Sequence, residues 1–153
     1  LTASGAGLGE PKNLLVRIGT PFRHVIDYCG GRADSADILI MGGPMMGLSQ
    51  WTDEVPVIKG TSGILVWDSG RDRTEYPCIR CGRCVDKCPM GLVPTQLMKY
   101  VKFGHMSEAE AWGILDCVEC GCCQFTCPAD IRLVHWIRLG KNKIMSARRR
   151  QSA

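Results

Sequence analysis

A chain of 153 residues, 45% of them hydrophobic, can bury a real core and has room for one domain or two. No stretch reaches the run of about 18 apolar residues that a membrane-spanning helix needs, and no charged-then-apolar leader opens it. The net charge of +4 is modest, no nucleic-acid-binding motif accompanies it, and the chain reads as soluble or peripheral to a larger assembly.

The first residue is Leu1 rather than Met, and residues 1–9 read as the middle of a fold, which implies a piece of a longer protein. Residues 13–18 (N-L-L-V-R-I) and 36–41 (A-D-I-L-I-M) are aliphatic runs bounded by turn residues, the pattern of buried strands. Between them a helix is predicted, with Thr20 as N-cap, Pro21 at the first helical position, an apolar stripe of Phe22, Val25 and Ile26, and Gly30 and Gly31 as the stop. The glycine-rich segment 42–47 (G-G-P-M-M-G) follows a strand but lacks the spacing of a phosphate-binding loop, as does the earlier Gly5, Gly7 and Gly9 set. It reads as a tight turn that packs its two methionines. A last strand is expected over 64–67, and the charged residues 70–76 read as a linker.

Two copies of one cysteine run follow. Cys78, Cys81, Cys84 and Cys88 precede Pro89, and Cys117, Cys120, Cys123 and Cys127 precede Pro128, each with the spacing C-x2-C-x2-C-x3-C-P. This is the ligand run of bacterial ferredoxins, in which three thiolates hold one iron-sulfur cube and the fourth reaches the other. The motif therefore implies two 4Fe-4S clusters, one on Cys78, Cys81, Cys84 and Cys127, the other on Cys117, Cys120, Cys123 and Cys88. Structural zinc leaves the third cysteine of each run without a place, and a disulfide framework calls for an oxidising compartment and a chain without a core.

The residues between the runs are written in helical terms. Pro94 opens one helix with Leu97, Met98 and Val101 on one face and Gly104 closing it. A capping box at residues 107–110 starts a second that carries Trp112 and Leu115 inward. After the last ligand, Asp130 is the expected N-cap of a third, with Ile131, Val134 and Ile137 along its stripe. Gly82, Gly91 and Gly121 are placed to free backbone N–H groups for the thiolate sulfurs. The first run carries Arg80, Arg83 and Lys87 against Asp86, whereas Asp116 and Glu119 flank the second, a contrast that favours electrons on the first. Cys122 breaks the ligand spacing and reads as a non-ligand, and Cys29 as a small buried thiol. His24, His105 and His135 have no metal-ligand spacing, and no catalytic residues emerge. After Asp130 the chain is purely basic, which suits a solvated helix face and frayed tail, an acidic partner or an anionic membrane surface.

Four segments carry a family resemblance: G-G-P-M-M-G at 42–47, V-P-V-I-K-G-T at 55–61, the first cysteine run with its M-G-L extension to Leu92, and the second run to Pro128. The chain resembles the C-terminal portion of the C subunit of the Rnf complex, the ion-translocating ferredoxin:NAD oxidoreductase of bacterial membranes. The resemblance implies an α+β chain: a partial β-grasp (soluble-ligand-binding) domain over 1–70, a mostly helical ferredoxin domain with two 4Fe-4S clusters over 71–146, and a basic tail over 147–153. It further implies an electron-relay role, peripheral to the cytoplasmic face of the bacterial inner membrane, with other members of the complex and a redox protein as partners. FMN and NAD(H) are expected only upstream of Leu1. The cobalamin-reducing flavoprotein of diol-utilising microcompartments is similar in having a β-grasp domain before two cluster motifs, and stands as the alternative.

Overall fold

Strand β5 (Gly63–Asp68) is the axis of the first half of the chain, buried at Gly63, Ile64 and Val66. It pairs in parallel with β1 (Thr2–Ser4) on one side and antiparallel with β3 (Ala36–Met41) on the other. The short strands β2 (Lys12–Asn13) and β4 (Leu48–Gln50) form the two edges, giving the order β2-β1-β5-β3-β4. Helix α1 (Phe22–Tyr28) buries Phe22, Val25 and Ile26 in one core with Ala3, Leu39, Ile64 and Val66. The computed structural model of the chain describes residues 1–68 and 74–151. Two compact units result, Leu1–Asp72 and Arg73–Ala153, so most of the expected linker over 70–76 lies outside the described residues.

The predicted strand over 36–41 and the apolar stripe of α1 stand as the pattern required, but three expectations for this unit fail. Residues 13–18 do not form a buried strand: β2 ends at Asn13, and Leu15 and Ile18 are exposed while Leu14 and Val16 touch the core. The segment lies at a sheet edge, so only alternate side chains face inward. Thr20 does not cap α1. Backbone carbonyls of Val55 and Asp53 instead accept hydrogen bonds from the N–H groups of Phe22 and Arg23, both at 3.0 Å, and Pro21 occupies the cap position. The methionines of the 42–47 turn, Met45 and Met46, are exposed rather than packed. The early glycines have a steric cause: Gly5 sits at φ +125°, and a Cβ there would lie 2.0 Å from the carbonyl oxygen of Val66.

The second unit is built on an internal repeat. The offset that relates Cys78 to Cys117 also relates the left-handed residues Arg80 (φ 57°) and Glu119 (φ 56°), and Gly82 and Gly121, each the N-cap of a one-turn helix. These helices are α2 (Arg83–Asp86) and, in chain order after two others, α5 (Cys122–Phe125). It further relates the starts of the two long helices, α3 (Pro94–Lys102) and α6 (Leu133–Gln151). Helix α4 (Met106–Ala111) and a 3₁₀ turn (Ile114–Asp116) fill the space between repeats. Leu97, Val101, Ala109, Ile114, Ile137 and Ile144 form one core; Cys84, Met98, Cys123, Ile131, Leu133 and Val134 belong to another.

Helix α3 matches its expected span and face, and Gly104 (φ 83°) ends it. Helix α4 begins at Met106 with no side-chain cap, the Ser107 hydroxyl being engaged by Glu108, so the capping box does not form. Trp112 stays half-exposed with its ring tilted against Tyr100, centroids 5.8 Å apart, and Ile114 takes the buried position. Asp130 is not the cap of α6 either. It adopts φ 50°, the repeat equivalent of Gly91, and the helix starts at Leu133. Helix α6 runs on through Gln151, so most of the segment set apart as a basic tail is helical, and Arg148 pairs with Glu110.

Candidate metal centres

The eight motif cysteines are gathered into two sets of four, each drawn from both runs. A cavity of about 170 Å³ is lined by Cys78, Cys81, Cys84 and Cys127, together with Ile79, Arg80, Gly82, Thr95, Lys99 and Ala129. A narrower one of about 20 Å³ is lined by Cys88, Cys117, Cys120 and Cys123, with Met90, Leu92, Pro94, Val134 and Ile137. Cys84 on the first wall and Cys123 on the second are buried in one apolar cluster, which therefore forms part of both walls. Cys78 and Cys81 are exposed, whereas Cys88, Cys117 and Cys120 are half-buried.

Backbone amides point at the sulfurs. The N–H groups of Arg80, Glu119 and Leu92 donate to Sγ of Cys78, Cys117 and Cys88, each at 3.4 Å. Two of these donors are non-glycine residues held in the left-handed region, a conformation that costs about 1 kcal/mol and turns the amide inward. The glycines expected in this role have another one: Gly82 and Gly121 cap the one-turn helices that carry Cys84 and Cys123.

The donor set fits an iron-sulfur group. Four thiols ring each cavity, and among the described residues no three Cys, His, Asp or Glu side chains converge as a single metal ion would require. Cys122 lines neither cavity, and a hydrogen bond with the Cys120 side chain pushes its thiol up. Cys29 is buried in the core of the first unit.

Comparison with known proteins agrees with the geometry. The SLBB domain family matches residues 2–49 and the 4Fe-4S dicluster domain family matches residues 72–132. The chain is 42% identical to the C subunit of the ion-translocating oxidoreductase complex of Rhodobacter capsulatus, over 99% of this chain and 30% of that protein. It is 46% identical to the C subunit of the proton-translocating ferredoxin:NAD(+) oxidoreductase complex of Clostridium ljungdahlii, over 99% of this chain and 34% of that protein. To the Na(+)-translocating counterpart of Acetobacterium woodii it is 41% identical, over 98% and 34% respectively. Over 98% or more of its length the chain is similar to these C subunits. It spans about a third of the length of these three relatives.

Burial governs the thiols around both sites. It pushes Cys123 up to about 12, with the neighbouring Cys117 adding to the effect, and it raises Cys84 and Cys117 as well. These groups are protonated at neutral pH until a metal displaces the protons. Around the second site, burial would raise the Glu119 carboxyl, but hydrogen bonds from Lys141 and Arg138 outweigh it and hold it below the usual carboxylate range. Lys141 Nζ lies 2.7 Å from Glu119 Oε1 and donates to the Cys117 carbonyl at 2.8 Å, and Arg138 Nε lies 2.8 Å from Glu119 Oε2. The loop that carries Cys117 is thereby tied to α6.

This trio offsets the acidity expected of Glu119, which narrows the charge contrast between the runs without reversing it. Arg138 and Lys141 were not anticipated as site residues. Their signal is in the repeat, which relates them to Lys99 and Lys102 on α3. The first unit also holds an open cleft of about 440 Å³ between residues 13–17 and α1, lined by Leu15, Arg17, His24 and Tyr28, which no motif foretold.

Proposed function

We propose that this chain is the electron-relay portion of the C subunit of a membrane-associated ion-translocating ferredoxin:NAD oxidoreductase. Its two sites hold 4Fe-4S clusters on crossed ligand sets: Cys78, Cys81, Cys84 and Cys127 at one, Cys117, Cys120, Cys123 and Cys88 at the other. The observation that carries this reading is the lining of the two cavities, each with three thiols from one run and the fourth from the other. Bound there, such a cluster takes up and returns single electrons.

The protein's own part is to hold thiolates, aim N–H groups at their sulfurs and keep an apolar partition between the sites. Amides of Arg80, Leu92 and Glu119 favour the more reduced state by stabilising negative charge on sulfur. Cys84, Cys123, Ile131 and Val134 exclude water from the space between the cavities. No group arranged for proton transfer or nucleophilic attack is needed for this task. The relatives' names favour the membrane oxidoreductase over the microcompartment flavoprotein. They differ in the ion they specify, sodium in one and protons in another, so the coupling ion is not written in what this chain shares with both.

Other members of the complex and a redox protein are the partners in this reading, and the segment is peripheral to the cytoplasmic face of the membrane. No helix among the described residues is long and apolar enough to cross a bilayer. FMN and NAD(H) belong to parts of the whole protein other than these residues. The test is an anaerobic assay of the purified, iron-loaded chain with NADH and an artificial acceptor. We expect reduction by dithionite and reoxidation by a dye, with no NADH turnover; sustained NADH oxidation overturns the relay reading.

A further inference from the structure

The two halves of the repeat treat equivalent charged positions in opposite ways. The offset that relates Cys78 to Cys117 relates Arg80 to Glu119, Lys99 to Arg138 and Lys102 to Lys141. In the second half, one carboxylate and two cations form a half-buried network that ties the ligand loop to α6. In the first half all three positions are cations, all exposed, and Arg80 and Lys99 lie on the wall of the larger cavity. Among the described residues neither Arg80 nor Lys99 forms an ion pair, and Lys102 rests over the Trp136 ring at 5.9 Å.

Exposed cations on a cavity wall that includes no carboxylate contribute no ion pair to the fold. Their setting suggests a use. They stand beside the exposed thiols Cys78 and Cys81 and the exposed apolar Ile79, with Arg83 on the adjoining α2, Lys87 just past its end and Asp86 as the acidic exception there. An apolar spot with a basic rim, at the mouth of a redox site, is complementary to an acidic protein whose own redox centre must come close.

We propose that the face formed by Arg80, Lys99 and Ile79 is the docking surface for an acidic one-electron-transfer protein, with the Cys78 site as the port of exchange. The Cys117 site, its loop held shut by Glu119, Arg138 and Lys141, is the inner station. This rests on the two-cluster reading above. Charge at such a rim acts mainly on the rate of encounter, by 10-fold to about 1,000-fold at low salt, and the effect fades as ions screen it.

The experiment is anaerobic stopped-flow mixing of a small acidic ferredoxin, reduced beforehand, with the iron-loaded protein over a range of ionic strength. We expect the Arg80→Glu, Lys99→Glu double variant to lose at least about tenfold in second-order rate at low salt and most of its salt dependence. Lys99→Gln, which removes one charge without reversing it, falls between. Lys59→Glu, a charge reversal at a residue that lines neither cavity, changes the rate less than about twofold. All variants are compared at equal iron content. A double variant that keeps the parent rate and salt slope, or a Lys59→Glu effect of the same size, overturns the docking surface alone. Protein that takes up no electrons even from dithionite overturns the two-cluster reading, and this inference with it. If the double variant loses binding to anionic lipid vesicles while its rate with ferredoxin is unchanged, the face is a membrane contact and the proposal fails.

Discussion

Cys88 and Cys127 decide how the two sites are coupled, and proline explains why. A proline after each fixes its own φ and biases the cysteine before it toward extended backbone, so the chain leaves the loop instead of closing on the same cavity. Cys88 accordingly lines the cavity of the second run and Cys127 that of the first. Replacing Cys88 with Ser should disturb the spectroscopic signal of the site on Cys117, Cys120 and Cys123 and spare the other; loss confined to the Cys78 site contradicts the crossed arrangement. The grouping of the eight thiols was legible because their spacing is chemistry that no packing can override. The amide donors were not. Nothing in the letters Arg80 and Glu119 announces a left-handed backbone, which is set by the loop closing around sulfur rather than by local preference.

At the scale of elements, apolar periodicity located α3, the stripe of α1 and strand β3, while every cap expected from a side chain failed. Thr20, the 107–110 box and Asp130 each have the right residue type. In each case other geometry prevailed: backbone carbonyls from 53–55 serve α1, Ser107 turns to Glu108, and Asp130 is needed in the left-handed turn after Pro128. The pairing of α3 with α6 offers a sharper test. A Cβ at Gly140 would lie 2.4 Å from Val101 Cγ2 and 2.7 Å from Ile114 Cδ1. Alanine gains about 1 kcal/mol in helix propensity, but overpacking a core costs about 1–3 kcal/mol, and the backbone of a helix cannot simply step aside. Gly140→Ala should therefore lower the denaturant midpoint of the iron-loaded protein, by about 1 kcal/mol in stability. An unchanged or raised midpoint would show that the helices approach less closely.

For the whole molecule, the two units have different sources of stability. The first has an apolar core that includes Phe22, Ile64 and Val66 and a five-stranded sheet. The second relies on α2 and α5, single turns far below the roughly 12–15 residues at which an isolated helix becomes even marginal, and on a core into which Cys84 and Cys123 are built. Metal removal should thus release amide protection from about residue 78 to 144 and leave residues 1–67 protected in hydrogen exchange; protection retained through the cysteine runs contradicts this. Iron and acid-labile sulfide analysis of anaerobically purified protein tests whether eight thiols of this chain hold two four-iron clusters. Two such clusters require about eight irons and about eight sulfides per chain. About four irons, or zinc in their place, would contradict the two-cluster reading.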